Sequence, residues 1–341
     1  MSKKISTILS SNVNATSVAN IAGGVAGSIP YQSAPGVTGF IPAGTTGQVL
    51  QSNGAAAPSW TDATFAYYQI QALIVAGGGA GGAGDARNCS GGGGGAGGVI
   101  FTSILVNSSK TYSIVIGSGG VNAYSSDGNG GHGTYVPSAT CGNNSTLSGV
   151  FPPLTAFGGG GGGNNSIGLD GGSGGGAGRA NGSGAGDPQP LLLGGLSTSG
   201  QGYKGGGTIH ANASGGGGGA GSVGIDAIGL NSAGGGGTGV TYSSLGITSA
   251  IAYGGGSQGW NYSSTSGNGI GHGGQHASAN TGIGADGGNY AVGMSCSGGS
   301  GVVVLSIPTA NYTGIKTGSP IVTVVNTNTI LTFNTSGSYT A

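Results

Sequence analysis

Residues 91–106 read Gly-Gly-Gly-Gly-Gly-Ala-Gly-Gly-Val-Ile-Phe-Thr-Ser-Ile-Leu-Val, so a run of glycine passes directly into an apolar segment. Similar runs occupy residues 158–163, 215–219 and 234–237, and the chain holds 87 glycines in 341 residues. Glycine loses more backbone freedom on folding than any other residue and has no side chain to bury. Such a stretch is therefore either disordered or ordered by backbone contacts that only glycine permits.

Apolar segments at both ends of the glycine-rich stretch predict β-strands. Alternating or continuous apolar patterns occur at residues 66–75, 98–106, 111–116, 301–307, 320–325 and 329–333, with a short last strand at 338–341. No window shows a 3.6-residue period over ten residues, so no helix is predicted. We expect an all-β scaffold, a small sandwich or barrel, that bears a long glycine-rich insertion.

The physics of glycine suggests how that insertion can be ordered. A polyglycine-II helix has three residues per turn and no internal hydrogen bonds, so its N–H and C=O groups point sideways. Neighbouring helices can then pair through their backbones, provided that no side chain separates them. The sequence predicts a polyglycine-II bundle with bulkier connectors between the glycine runs; an irregular pile of glycine loops is the alternative.

These patterns divide the chain into four parts. Residues 1–66 have too few apolar side chains for a core of their own and are predicted to be an extended attachment or oligomerisation segment. Residues 67–117 form the first part of the β scaffold, residues 118–300 the glycine-rich insertion, and residues 301–341 the strands that complete the scaffold.

The charge content argues against several classes of function. Seven Lys or Arg balance seven Asp, and there is no Glu, so no basic field exists for nucleic acid or an anionic membrane. No apolar stretch approaches the length of a transmembrane span. The basic start at residues 1–5 lacks an apolar run behind it, which predicts synthesis in a cytoplasm without a signal peptide.

Catalytic and metal-binding motifs are weak throughout. Residues 79–84 satisfy G-x-G-x-x-G after a strand, but more glycine follows where a dinucleotide site needs a helix. No carboxylate pair stands out, and His272 and His276 lie in a glycine-flanked stretch that cannot place them on one helix face. We therefore expect no enzyme activity, no catalytic residues, no cofactor and no metal.

Aromatic residues in the connectors are the candidates for recognition. Rigid amphipathic rings on loops provide contact area at little entropic cost, and they stack well on sugars or on a partner's aromatic side chains. The predicted receptor-binding residues are Tyr124, Tyr203, Tyr242, Trp260 and Tyr262. The alternative for each ring is a structural one, in which it covers a rod end as part of a small local core.

The N-terminal sequence resembles a known group of proteins. Residues 24–33 (GVAGSIPYQS), 44–54 (GTTGQVLQSNG) and 58–60 (PSW) look like segments common in bacteriophage tail fibres and related virion fibre proteins.

The rest of the chain resembles the glycine-rich domain that often ends such fibres. The shared features are a strand entering residues 75–79 (VAGGG), a closing strand at 299–304 (GSGVVV), and a tail at 317–320 (TGSP) and 333–338 (FNTSGS). The resemblance implies a virion location, frequent trimerisation and recognition of a host surface protein or glycan. It carries over no fixed binding residues.

Two hypotheses of function follow. In the first, the chain is a tail-fibre or fibre-tip adhesin, a homotrimer whose residues 1–66 bind other virion proteins while the connectors bind the host. In the second, it is a purely structural fibre or decoration protein of the particle. An ice-binding protein and an enzyme remain as minor alternatives.

Overall fold

A computed structural model describes residues 23–62, 67–83, 90–121, 139–179, 190–209, 213–229, 232–245, 253–259, 276–288 and 296–341. The chain divides into two compact units, Met1–Ala66 and Tyr67–Ala341. No α-helix occurs in the described ranges, and two short 3-10 turns lie at Ser243–Leu245 and Thr309–Asn311. The predicted all-β class is confirmed.

The described part of the first unit consists of two β-hairpins. They are formed by β1 (Ile29–Ala34) with β2 (Val37–Ile41), and by β3 (Gln48–Asn53) with β4 (Ala56–Asp62). Trp60 donates from Nε1 to the carbonyl of Pro42 at 2.6 Å, and its ring lies where a Cβ on Gly44 would be. This unit therefore packs an aromatic ring against glycine backbone, where the sequence had predicted an extended segment without a core.

The second unit contains a sandwich of two five-stranded antiparallel sheets. The first sheet has the order β12 (Ile321–Val325), β13 (Asn328–Phe333), β10 (Val302–Pro308), β5 (Tyr67–Val75) and β6 (Val99–Asn107). The second has the order β11 (Lys316–Thr317), β14 (Gly337–Thr340), β7 (Thr111–Val115), β8 (Ser145–Ser148) and β9 (Leu154–Ala156). The strands expected from apolar runs are all present, and the sandwich replaces the barrel alternative.

The main core lies between the two sheets. Alternate residues of β5, such as Ile70 and Ile74, meet Leu305, Ile114 and Tyr339 there, and all five are buried. Because the side chains of a strand alternate between faces, the same strands also present a second apolar set to the other side.

That second set forms another core on the outer face of the first sheet. Leu73 and Val304 pack against Leu245 and Tyr253, which belong to the chain between the glycine runs. The first sheet is therefore covered on both faces, which explains the continuous apolar runs at residues 72–75 of β5 and 302–305 of β10.

The glycine-rich segments form straight rods with three residues per turn. Every third N–H of residues 91–98 donates to the same neighbour: one set to residues 157–163, the next to 282–288 and the third to 215–218. Their carbonyls accept from three further segments, residues 76–82, 173–176 and 257. This rod therefore has six hydrogen-bonded neighbours, as expected for hexagonally packed polyglycine-II helices, and the alternative of an irregular pile of loops is excluded.

The rods continue the strands in the same register. Val75 of β5 pairs with Val99 of β6, and the hydrogen bonds beyond this pair keep the register into the bundle. They join Ala76 N–H to Gly98 O, Gly79 N–H to Gly95 O and Gly82 N–H to Gly92 O, at 3.0, 2.8 and 2.9 Å. The sandwich therefore fixes the position of each rod that grows from it.

Close packing explains why the rods are glycine. A Cβ on Gly93 would overlap the carbonyl oxygen of Ser257 and lie 2.7 Å from its carbon. The same overlap with backbone atoms recurs at most glycines of residues 91–98. Among the described residues, buried methyl groups occur at scattered inner positions, including Ala80, Ala96 and Ala177.

The boundary between scaffold and glycine-rich insertion differs between the sequence prediction and the structure. Residues 118–300 were predicted to be glycine-rich insertion, yet β8 and β9 lie inside that range and complete the second sheet. Both strands are short and flanked by Gly, Asn or Pro, so their apolar pattern is too brief to stand out. The insertion thus returns to the sandwich once before the rods resume.

Candidate recognition surface

Four rods form one side of the bundle. They lie side by side at residues 166–171, 191–196, 203–208 and 223–228. The hydrogen bonds that join successive rods are Gly168 N–H to Leu193 O at 3.2 Å, Gly205 N–H to Gly195 O at 3.0 Å and Gly224 N–H to Lys204 O at 2.9 Å. This order gives a continuous surface whose side chains can be assigned to an inner or an outer face.

In the rod at residues 223–228 one residue in three faces inward. Gly224 and Ala227 are buried against the bundle, whereas Ile225 and Ile228 are 55% and 79% exposed. In residues 191–196 Gly195 is buried, and in the third rod residues 205–208 are all buried. A helix with three residues per turn permits large side chains only at the positions that face away from neighbouring rods.

The exposed side chains of these rods are largely aliphatic. We call this set the apolar flank: Ile167, Leu169, Leu191, Leu193, Leu196, Val223, Ile225 and Ile228, all exposed. Monomeric soluble proteins rarely expose large contiguous apolar patches, and those that do generally use them for binding.

The carboxylates near the apolar flank are tied to the backbone. Asp170 Oδ1 accepts from the Leu196 N–H at 2.6 Å, and Asp226 Oδ1 accepts from the Gly207 N–H at 2.7 Å. Both carboxylates therefore help to fix the outer rods, and together with the exposed Lys204 they are the charged residues of these four rods.

A shallow groove of about 520 Å³ runs along one edge of the apolar flank. Its lining includes Cys141, Phe157, Asp170, Leu196 and Thr198. Cys141 is an exposed free thiol, so it marks a position in the groove that can be labelled chemically.

Of the aromatic residues predicted to bind a receptor, two lie within the described residues. Tyr203 is 46% exposed at the start of the third outer rod, next to the apolar flank. Tyr242 is half-buried: its ring lies 4.7 Å from that of Phe101, it packs on the outer-face core, and burial raises the pKa of its hydroxyl.

The other three predicted residues, Tyr124, Trp260 and Tyr262, lie outside the described residues. Of the two predicted tyrosines that are described, the structure places Tyr203 next to the apolar flank. It assigns Tyr242 to the packing between the sheet and the chain that covers it.

The remaining titratable groups within the described ranges include His276 and Cys296. Within the described ranges, no group of three His, Cys, Asp or Glu is close enough to hold a metal ion. His276 Nδ1 accepts from the Ser297 N–H at 2.9 Å. Burial, with a smaller contribution from Asp286, raises the pKa of the Cys296 thiol to about 11, so this thiol stays neutral at physiological pH. Of the helices that the structure describes, none could cross a membrane.

Comparison with known proteins identifies the domain. A family model described as a glycine-rich domain matches residues 51–308, most of the chain. This chain belongs to the glycine-rich domain family. The match spans the rods and all but the last strands of the sandwich in this glycine-rich domain protein. No curated protein matches the chain, and no solved structure does.

Sequence reasoning missed the apolar flank because exposed leucines and isoleucines resemble core residues in composition. A usable signal exists in the spacing. Residues 224–228 (GIDAI) have a small, buried residue at every third position, Gly224 and Ala227, with larger exposed side chains between or after them. Such a period of three indicates an outer rod, although the outer rod at residues 203–208 lacks it because residues 205–207 are all glycine.

Proposed function

We propose that this chain is a virion attachment protein, a phage tail-fibre or fibre-tip adhesin that recognises the host cell surface. The observation that carries the proposal is the apolar flank, an exposed aliphatic surface held on a rigid bundle and bordered by Tyr203. Rigid scaffolds that present exposed contact residues are typical of binding proteins. The N-terminal sequence resembles tail fibres, and this resemblance suggests that the partner lies on the host cell surface.

The low charge suggests how the surface recognises its partner. Aliphatic side chains and an aromatic ring contact protein surfaces or the apolar faces of sugars through burial and hydrogen bonds. Long-range attraction plays a small part, because the whole chain carries only seven positive and seven negative side chains. Binding should therefore depend weakly on salt.

Within this proposal the first unit binds the particle. Residues 1–66 contact other virion proteins, and the described hairpins offer paired strands for that purpose. The homotrimer implied by the resemblance, the location on the virion and the lack of enzyme activity remain predictions that belong to the same proposal.

A purely structural role is the second candidate. The observation that favours it is the shape of the apolar flank. Four rods that lie side by side make a broad surface of the kind that packs well against another protein. In that case the flank would bind a neighbouring virion protein, and host adsorption would not depend on it.

Replacing both Leu193 and Leu196 with serine is expected to weaken binding to host cells about tenfold or more, because two exposed aliphatic contacts are removed. The fluorescently labelled full chain and its variant would be titrated onto a panel of bacterial strains by flow cytometry. Both leucines are exposed, so the variant should fold normally.

The matched control is Leu105→Ser, because Leu105 has the same 64% exposure as Leu196 but lies on the sandwich. This control should bind host cells like the unchanged chain. In a second experiment, a bulky maleimide is attached to Cys141 in a Cys89→Ser background, and it should weaken binding as the double variant does. If the Leu193 and Leu196 double variant binds host cells as well as the Leu105→Ser control, the apolar flank is not the contact surface. Binding that collapses between low and moderate salt would overturn the apolar mode of recognition.

A further inference from the structure

The edge strand β12 (Ile321–Val325) of the first sheet is a second candidate binding surface, separate from the apolar flank. It is the first strand of its sheet, and among the described residues it pairs on one side only, with β13. Its sequence is Ile-Val-Thr-Val-Val, and Ile321, Val322 and Val324 are 56%, 40% and 65% exposed. A β-branched strand with this exposure is suited to pairing with one more strand.

Proteins that remain monomeric normally protect such edges. Charged side chains, an internal proline or a bulge prevent another strand from adding to the sheet. β12 has none of these devices: its residues are uncharged, Pro320 precedes the strand, and the register with β13 is regular over all five residues. The edge is therefore open to pairing.

The backbone direction can be derived from the pairing. Pro308 lies opposite Asn328 and has no N–H to donate, which fits a pair without hydrogen bonds. Asn328 then turns its backbone groups toward β12, and the two-residue turn closes on a hydrogen-bonded pair with Val325. By alternation along the strand, Val322 and Val324 direct their N–H and C=O groups away from the sheet.

The outward groups are self-complementary about Thr323. When two β12 strands run antiparallel around a two-fold axis at this residue, Val322 of each copy lies opposite Val324 of the other. Both residues have outward donors and acceptors, so each such pair forms two hydrogen bonds. Thr323 lies opposite its own copy, and Thr–Thr pairs are favourable across antiparallel strands.

We propose that two copies of this chain associate through β12, joining their first sheets into one continuous antiparallel sheet of ten strands. The interface is isologous, as two-fold symmetry requires. Its apolar and uncharged residues create no repulsion between identical copies. This assembly does not involve the apolar flank, and it is an alternative to the homotrimer that the tail-fibre resemblance implies, so the two differ in the mass of the assembled chain.

The first test is the mass of the full chain in solution, measured by light scattering at concentrations of tens of micromolar. The two-fold pairing predicts twice the chain mass of 31.7 kDa, whereas a monomer or a trimer would overturn it. If β12 instead pairs with a strand of another protein, the isolated chain should be a monomer. If residues 1–66 form a trimer, the measured mass should be three times the chain mass.

A charge-swap experiment tests the position of the axis. Thr323 is exposed, so Thr323→Lys and Thr323→Asp should each fold normally, as circular dichroism would confirm. Each variant alone should be monomeric because like charges oppose each other at the axis. An equimolar mixture should regain the dimer, in which Lys opposes Asp. Dimers that persist in both variants, or that fail to return on mixing, would overturn pairing about Thr323.

Discussion

Replacing Gly93 with alanine is expected to lower the free energy of unfolding of the second unit by about 3 kcal/mol or more. Gly93 lies in the rod that has neighbours on all six sides. A Cβ there would overlap backbone atoms of Ser257 and lie 2.8 Å from the carbonyl oxygen of Gln258. The rods can relieve that overlap only by separating, which lengthens backbone hydrogen bonds along both.

The matched control is Gly255→Ala. Gly255 is also a buried rod glycine with a backbone conformation that alanine tolerates, but its nearest neighbours to a Cβ are 3.7 and 3.9 Å away. Alanine there should leave stability unchanged or raise it by up to about 1 kcal/mol, because it restricts the unfolded chain. Thermal unfolding of the two variants side by side makes the comparison. Equal effects at the two sites would mean that close packing of the rods is not what requires glycine.

Replacing Leu73 with alanine is expected to cost about 2–4 kcal/mol. Leu73 is fully buried on the outer face of the first sheet, beneath Leu245 and Tyr253. An uncovered sheet would leave this face in solvent, and the substitution would then have little effect. The cost therefore measures whether the chain between the glycine runs docks on the sheet.

Leu105→Ala is the control for this second prediction. Leu105 lies on β6 of the same sheet but is 64% exposed, so its loss should cost less than about 0.5 kcal/mol. Chemical denaturation with an intrinsic fluorescence readout would give both values. A Leu73 variant as stable as the Leu105 variant would show that the outer face is not covered.

The sandwich strands could be predicted from the sequence because they bury both faces. Residues 72–75 of β5 and 302–305 of β10 are continuous apolar runs, and each strand contributes to two cores, so their signal is strong. β8 and β9 could not be predicted, since Leu147 and Ala156 are buried by neighbours that are remote in sequence. A strand of three or four residues has no periodic pattern of its own.

The sequence predicts that the glycine runs form rods, but it does not predict how the rods are arranged in the bundle. Glycine runs imply polyglycine-II helices on general physical grounds, but which rod lies beside which follows from the registers of β5, β6 and β10. Gly78 donates to Gly299 O at 2.9 Å, continuing the pairing of Val75 with Val302. Such registers are set by tertiary packing and leave no trace in the glycine runs themselves.

The candidate site could be predicted only in part. Tyr203 is exposed beside the apolar flank, whereas Tyr242 packs against Phe101, and the connector sequences around these two tyrosines do not distinguish the outcomes. The leucines of residues 191–196 carry more of the exposed surface than either ring. Their role depends on which third of each rod faces inward, and that is a property of the assembled bundle.

Amide hydrogen exchange of residues 76–98 tests the packed bundle most directly, because nearly every described N–H of this stretch donates a backbone hydrogen bond. Exchange followed by mass spectrometry or nuclear magnetic resonance should show the amides of residues 76–82 and 91–98 protected for hours under native conditions. They should be as slow as those of β5 and β10. Exchange within seconds, as in an unstructured glycine-rich peptide, would contradict the packed bundle.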